Sequence, residues 1–192
     1  RCAGGEGLHA VAGFTVENGA SAWAAVEAFA HRCNGVEPWF DRQGVLRLDG
    51  WKSGAGRILS GKIPLISAVW RGKRYGVLSE VLVRDRMGTV AQTVGNESFL
   101  ARGGRRRQVL TLPGKRGYEA MRYSAAYQIA ESAQEQEVLT LRLAGTGAAW
   151  VGDRLTLDVL RPRLSGCWRV RACETGVGRE GGFTELKLIR EE

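Results

Sequence analysis

The spacing of apolar positions changes along the chain, and each change marks an element. Trp23, Val26, Phe29, Ala30 and Cys33 recur at three and four residues behind Ser21, a residue type that caps helices. Asn34-Gly35 follows as a left-handed stop, so a helix is predicted over 21–33. Before it, Phe14 and Val16 alternate weakly and end at the turn signal Asn18-Gly19. After it, Glu37–Asp41 and Val45–Leu48 flank Arg42-Gln43-Gly44 and predict a hairpin. Residues 52–57 read as a loop. Ile63–Trp70 and Tyr75–Arg84 predict two more strands joined by Arg71-Gly72-Lys73-Arg74. In the second, Val77, Ser79, Val81 and Val83 alternate with Gly76, Leu78, Glu80, Leu82 and Arg84. Both faces are partly apolar, the pattern of a covered strand.

A second helix is predicted over 118–136, a stretch without Pro or Gly and rich in Ala, Glu and Gln. Its stripe of Ala120, Tyr123, Tyr127, Ala130 and Gln134 is narrow, which predicts close packing. From Glu137 the period becomes two. Leu139, Leu141 and Leu143 form one apolar face, Leu155, Leu157 and Val159 a second, Trp168, Val170 and Ala172 a third, and Leu186 and Leu188 a fourth. Gly-rich turns separate these runs, at 145–147, 152–153, 162–166 and 176–182. Four such strands predict a small antiparallel barrel or sandwich. Alternation places Trp168 and Leu157 in its core and Arg169 and Arg171 outside, where truncating Arg169 would cost little.

The fold class is therefore α+β: a small antiparallel β-barrel preceded by a helix, plus a small α/β module. Three segments are expected. Residues 1–90 form an α/β module with helix 21–33 and hairpins, 91–117 a basic Gly/Arg connector, and 118–192 a helix plus β-barrel module.

Composition narrows the class. The 192 residues are 44% apolar and 25% charged, the balance of a globular chain. No apolar run approaches the roughly 18 residues of a membrane-spanning helix. The chain opens at Arg1 without a Met and reads as part of a longer protein. The net charge is +8, and its distribution is uneven. Residues 1–96 carry 12 basic and 8 acidic side chains, and residues 118–192 carry 10 and 11. Between them Arg102, Arg105, Arg106, Arg107, Lys115 and Arg116 face only Glu97. With Gly103, Gly104, Pro113, Gly114 and Gly117 this stretch reads as exposed, and its six cations are the candidate interface residues.

Catalytic constellations are not found. Cys2, Cys33, Cys167 and Cys173 contain no C-x-x-C pair, and only His9 and His31 could join them on a metal, so no zinc pattern exists. Cys167 and Cys173, six residues apart in one strand, would point the same way about 20 Å apart, too far for a bridge. All four read as reduced thiols. His31, beside Arg32 at a helix end, reads as a surface residue. Gly4-Gly5-Glu6-Gly7 lacks the strand and helix that hold a phosphate, and G-x-S-x-G and H-E-x-x-H are absent. Asp153, Asp158, Glu131, Glu135 and Glu137 sit on turns, strands or a helix face with no cleft to perturb them. No catalytic, metal or cofactor-binding residue is assigned, and the expectation is a non-enzyme without a cofactor.

The order of the pieces carries a resemblance. Gly19-Ala20-Ser21-Ala22-Trp23 opens a helix ending at Asn34-Gly35, followed by Asp41-Arg42-Gln43-Gly44-Val45-Leu46. The helix from Tyr118 runs into Leu139-Thr140-Leu141-Arg142-Leu143-Ala144-Gly145. Then come Val151-Gly152-Asp153-Arg154-Leu155-Thr156-Leu157, Gly166-Cys167-Trp168-Arg169-Val170 and Gly182-Phe183-Thr184-Glu185-Leu186-Lys187-Leu188. Over nearly its whole length the chain resembles the baseplate hub proteins of contractile phage tails, the Mu-type tail protein and late control D group. The resemblance implies β-barrel modules with a small α/β module and a homotrimeric ring joining tail tube to membrane-piercing spike. It also implies a place in the virion tail baseplate after assembly in the bacterial cytoplasm. Its partners would be tail tube and spike proteins, without a membrane anchor. The full hub usually has a further N-terminal barrel, and the resemblance implies that the sequence given starts after most of it. The alternative is a nucleic-acid-binding module using the basic connector. Arg102-Gly103-Gly104-Arg105-Arg106-Arg107 is RNA-tail-like, but has one nearby aromatic, Phe99, where such binding wants stacking residues beside the charge.

Overall fold

The computed structural model describes residues 1–8, 14–51, 56–60, 64–73, 75–86, 91–112, 117–134, 136–158, 164–179 and 181–191. Expectations for His9, most of the 52–57 loop and Val159 lie outside these. In chain order the elements are β1 (Cys2–Ala3), α1 (Ala22–Phe29), β2 (Trp39–Phe40), β3 (Leu46–Arg47), β4 (Gly56–Ser60), β5 (Leu65–Gly72) and β6 (Glu80–Asp85). They continue with β7 (Ala91–Gly95), α2 (Glu97–Ala101), β8 (Arg107–Leu112), α3 (Tyr118–Gln134), β9 (Glu137–Ala144), β10 (Arg154–Asp158), β11 (Gly166–Gly178) and β12 (Gly181–Arg190). The chain divides into two compact units. The first holds Arg1–Pro38, Leu46–Gly50 and Tyr75–Ala133, and the second Trp39–Val45, Trp51–Arg74 and Gln134–Glu192.

In the first unit, α1 starts where Ser21 accepts a hydrogen bond from the Ala24 N–H at 3.1 Å. Its last turn widens into a π-helical turn over Ala30–Asn34 and stops at Gly35, whose φ is 61°. A Cβ there would sit 2.5 Å from the Tyr123 carbonyl oxygen, so the stop signal is also a close approach to α3. The stretch 91–112, expected as connector, is folded: β7 and β8 flank β6 in a three-stranded sheet, β7 antiparallel and β8 parallel to it. Helix α3 covers this sheet. Met121 and Ala125 pack with Leu78, Val81, Val83 and Leu112. The buried stripe of α3 is Ala120, Met121, Ser124 and Ala125, one step round from the stripe expected, and Ala130 is exposed.

The second unit is a six-stranded sheet in the order β4-β10-β11-β12-β9-β5. Its pairs are antiparallel except β4 with β10. The order is linear, with β4 and β5 as edges, and the sheet curls as a half-barrel rather than closing. The period-two faces converge as expected: Leu139, Leu141, Leu143, Leu155, Leu157, Trp168, Val170, Leu186 and Leu188 form one buried cluster. The expected strands at 63–70 and 75–84 do not pair with each other. β5 runs on to Gly72 and the Lys73 N–H still bonds the Gln136 carbonyl at 2.8 Å, so pairing with β9 consumes the expected turn. β6 joins the other sheet.

Two expectations for β11 fail for one reason. The register against β12 shifts between Val170 and Ala172, a bulge that inserts one residue. Beyond it the faces exchange, so Ala172 is exposed and Cys173 packs against the core. Cys167 and Cys173 therefore do not point the same way. Burial pushes the Cys173 thiol up, which keeps it protonated and unreactive at neutral pH.

Arg169 is not on an ordinary surface. It is 7% exposed, on the face opposite Trp168. Its NH1 donates to the carbonyls of Trp51 (2.8 Å) and Gly152 (3.0 Å), and its Nε and NH2 donate to Glu191 Oε1. Arg154, in register beside it, donates from Nε to Glu191 Oε2 at 2.7 Å. Trp39–Val45 and Trp51 cover this side. The Trp39 ring lies 5.7 Å from that of Trp51, tilted by 36° to it, and over Gly152, where φ is 86° and a Cβ would strike the Trp39 ring at 2.8 Å. Asp41 Oδ1 accepts from Gln43 N and Val45 N, closing the predicted turn, and Arg42 reaches Asp153 Oδ2 at 2.9 Å. Arg171 is half-buried with its guanidinium 5.9 Å from the Trp51 ring.

Four substitutions should differ in their cost to stability in urea. Trp168→Ala is expected to cost about 3–5 kcal/mol and Leu157→Ala about 2–5, as buried truncations do. Arg169→Ala is expected to cost about 1–3 kcal/mol, because it strands two carbonyls and half of a carboxylate. Val177→Ala, at an 83% exposed position, should stay within about 0.5 kcal/mol.

The acid limb is a separate test. Burial pushes the Glu191 carboxyl up, but hydrogen bonds from Arg169 and Arg154 and their charges outweigh it, and it titrates below its ordinary 4.5. A lowered folded pKa gives stability that is complete above about 4.5 and lost as pH falls through the folded value. Urea midpoints measured from pH 7 to pH 3 should fall less steeply below pH 4.5 in Glu191→Gln than in wild type.

Candidate interface

The basic run begins at α2. Asn96 caps this short helix by accepting from the Phe99 N–H at 3.2 Å. Arg102 follows its last turn, donates from Nε to the Ser98 carbonyl at 3.2 Å and sits 5.8 Å from the Phe99 ring centroid. Gly103, at φ 87°, and Gly104 turn the chain toward β8, and a side chain on Gly104 would collide with the Phe99 ring. Arg105 is exposed, and its NH1 donates to the Gly104 carbonyl at 3.0 Å. The Arg106 carbonyl accepts from Ser79 N at 2.8 Å and from Ser79 Oγ at 2.7 Å, locking the approach to β8 onto the start of β6.

Arg107 opens β8 directly opposite Glu80 in the parallel β6–β8 register, and its Nε donates to Glu80 Oε2 at 2.7 Å. Arg105 and Arg107 line, with Ser79, Glu80 and Leu100, a surface cavity of about 420 Å³. The structure thus brings Arg105 and Arg107 to one recess and holds Arg102 just past the end of α2. Lys115 and Arg116 lie outside the described residues. Glu80, 27 positions before Arg107, is the member of this site that a scan for basic runs misses. Both partners are solvent-accessible, so the pair orients Arg107 and adds little stability.

His31 is half-buried rather than on the open surface. Its Nε2 lies 2.9 Å from Glu37 Oε2, which also accepts from the Tyr127 hydroxyl at 2.6 Å. The His31 and Tyr127 rings stack at 4.4 Å. The three side chains fasten the end of α1 to α3. Among the described residues no group of three metal-ligating side chains gathers, and no helix is long and apolar enough to cross a membrane.

Apolar surface is concentrated on β5. Leu65, Ile66, Val69 and Trp70 are 36–57% exposed, on a strand whose residues are all exposed. The β11–β12 hairpin forms a second exposed feature: Glu174, Thr175, Val177 and Gly178 are exposed at its end.

The fold is shared with solved phage tail proteins. The crystal structure of the tail protein from Neisseria meningitidis MC58 superposes over 96% of this chain and 58% of its own, with a TM-score of 0.66 and 18% identity. The 43 kDa tail protein of prophage MuSo2 from Shewanella oneidensis matches 81% of this chain and 51% of its own, at a TM-score of 0.58 and 15% identity. A chain in the virion of a native gene transfer agent particle matches 88% of this chain and 39% of its own, at 0.55 and 17%. The chain matches no protein-family model and no curated protein. It spans between about two-fifths and three-fifths of the chains it resembles, and what it has in common with them is a mixed α+β, mostly β fold.

Proposed function

We propose that this chain is a structural, non-enzymatic part of a phage or prophage tail, a baseplate hub component that joins the tail tube to the spike. The likeness to the Neisseria tail protein over 96% of the chain carries this reading. The likeness to a chain of an assembled gene transfer agent virion supports a place in the particle. Its partners are then further copies of itself, as a homotrimer, and the tail tube and spike proteins. The contractile type of tail and assembly in the bacterial cytoplasm belong to the same proposal. Arg102, Arg105, Arg106, Arg107, Lys115 and Arg116 are proposed as contact residues for carboxylates on those partners, since Arg offers a planar fork that matches a carboxylate. Nothing favours nucleic acid over protein here: Arg107 already faces Glu80, and Phe99 lies beside Arg102.

The test is location. In tail particles purified from cells expressing a tagged chain, gold label is expected at one end of the tail. Absence of the chain from purified particles would overturn the reading. Duplex DNA binding that weakens steeply with salt, in a chain absent from particles, would favour the nucleic-acid alternative. The joint variant Arg105→Ser, Arg107→Ser should melt like wild type. Its recovery in particles should fall up to about tenfold, the scale of two exposed ionic contacts. Unchanged recovery would remove the arginines from the contact.

A further inference from the structure

We propose that the recess between Arg105 and Arg107 is a docking site for a single carboxylate carried on a protein partner, an acidic side chain with an aliphatic neighbour. The proposal deepens the contact role given to the arginines above and rests on that reading for its setting.

The recess is built on the sheet of the first unit. Glu80 opens β6 with Gly95 of β7 on one side and Arg107 of β8 on the other, so the three positions form one row across the sheet. The row is locked where the Arg106 carbonyl accepts from Ser79 N, Ser79 Oγ and Glu80 N. The glycine in the row matters. A Cβ on Gly95 would stand 3.2 Å from Leu100 Cδ1 and 3.3 Å from Glu97 Oε1, so the bare backbone lets α2 settle close and brings Leu100 to the wall. Arg105, two residues before Arg107, lines the recess with it.

Charge selects the ligand. The lining holds two guanidiniums, Arg105 and Arg107, and one carboxylate, Glu80, which leaves a surplus of one positive charge. Glu80 engages Nε and NH2 of Arg107 through one oxygen, Oε2, and Arg105 gives NH1 to the Gly104 carbonyl. A guanidinium has five N–H donors, so these contacts hold both forks in place and use part of their capacity. One carboxylate entering between them neutralises the recess and meets planar donors that match its own geometry. Nucleic acid presents a run of phosphates, and the Glu80 carboxylate in the wall opposes the neighbours of any one that binds.

Shape selects the source of that carboxylate. Sites for free small molecules are enclosed and mostly apolar. Here Leu100 is the apolar member of the described lining, and the Arg107 side chain is 60% exposed. A free acid would bury little surface in such a place, whereas a side chain on a folded partner arrives with the rest of its interface around it. The volume of about 420 Å³ admits an acidic side chain and one neighbour, and Leu100 suits an aliphatic one.

Titration of the isotope-labelled full chain by NMR tests this, with a short capped peptide carrying one Glu beside one Leu as the probe. Taken to about 20 mM, it saturates a site with a Kd of about 1 mM. The amide signals of Ser79, Glu80, Leu100 and Gly104–Arg107 should shift and saturate together. The same peptide with Gln in place of Glu should bind at least about fivefold more weakly, and Arg105→Ser should weaken the Glu peptide about threefold. Glu80→Gln raises the surplus to two charges and should tighten binding about threefold, a gain that misfolding cannot imitate. Three results would each overturn the proposal: no saturable shift at these residues, equal binding of the Glu and Gln peptides, or a Glu80→Gln chain that binds no tighter. Inorganic phosphate binding more tightly than the Glu peptide would also overturn it, in favour of a phosphate site. Gold labelling of particles can succeed or fail whatever the titration gives, so failure of the recess is distinct from failure of the tail reading.

Discussion

One buried guanidinium organises the second unit. Arg169 sits in the sheet with an exposure of 7%, and an unmatched charge there would be costly. Its donors are matched from three places far apart in sequence: the Trp51 carbonyl, the Gly152 carbonyl and the Glu191 carboxylate. Matching them fixes where Trp51 lies, how the turn before β10 is bent and where the chain runs after β12. Gly152 shows how tightly these demands interlock. It presents its carbonyl to Arg169 at a positive φ while leaving room for the Trp39 ring. Arg154, in register with Arg169, would repel it, and Glu191 removes the conflict by accepting from both.

This arrangement explains what could be read from sequence and what could not. The core of the second unit was legible because a half-buried sheet imposes a period of two, and Leu139–Leu143, Leu155–Leu157 and Leu186–Leu188 obey it without interruption. The same rule misplaced residues wherever a second constraint acted. The bulge after Val170 exchanged Ala172 and Cys173 between faces. The outer face near Arg169 is covered by Trp39 and Trp51, residues more than a hundred positions away, and alternation is blind to a cover of that kind. Helix boundaries fared better because their signals are local: Ser21 and Gly35 do at the ends of α1 what their chemistry predicts.

Sheet membership was the harder inference. Consecutive strands with a short polar link suggest a hairpin, but β5 and β6 belong to different sheets, since β5 finds a long partner in β9 and β6 finds an apolar helix face on α3. The basic run from Arg102 to Arg107 was plain in the sequence as a cluster of charge. Its setting was not, because Glu80 reaches Arg107 through a parallel pairing 27 residues apart, and no local pattern announces a parallel partner.

The two kinds of surface on this molecule contribute differently to any assembly. An exposed ion pair is worth between zero and about 1 kcal/mol, so the arginine rim can select and orient a partner more than hold it. Apolar area is worth about 25 cal/mol per Å² removed from water, so covering even about 100 Å² of an apolar edge contributes about 2.5 kcal/mol before any backbone hydrogen bond is counted. A strand edge also fixes direction and register at once, because only one sense and one parity of pairing keep matching faces together. β5, at an edge of the sheet among the described residues, presents Leu65, Ile66, Val69 and Trp70 to solvent, so apolar area and strand direction coincide there. Charge elsewhere can then serve to exclude wrong partners.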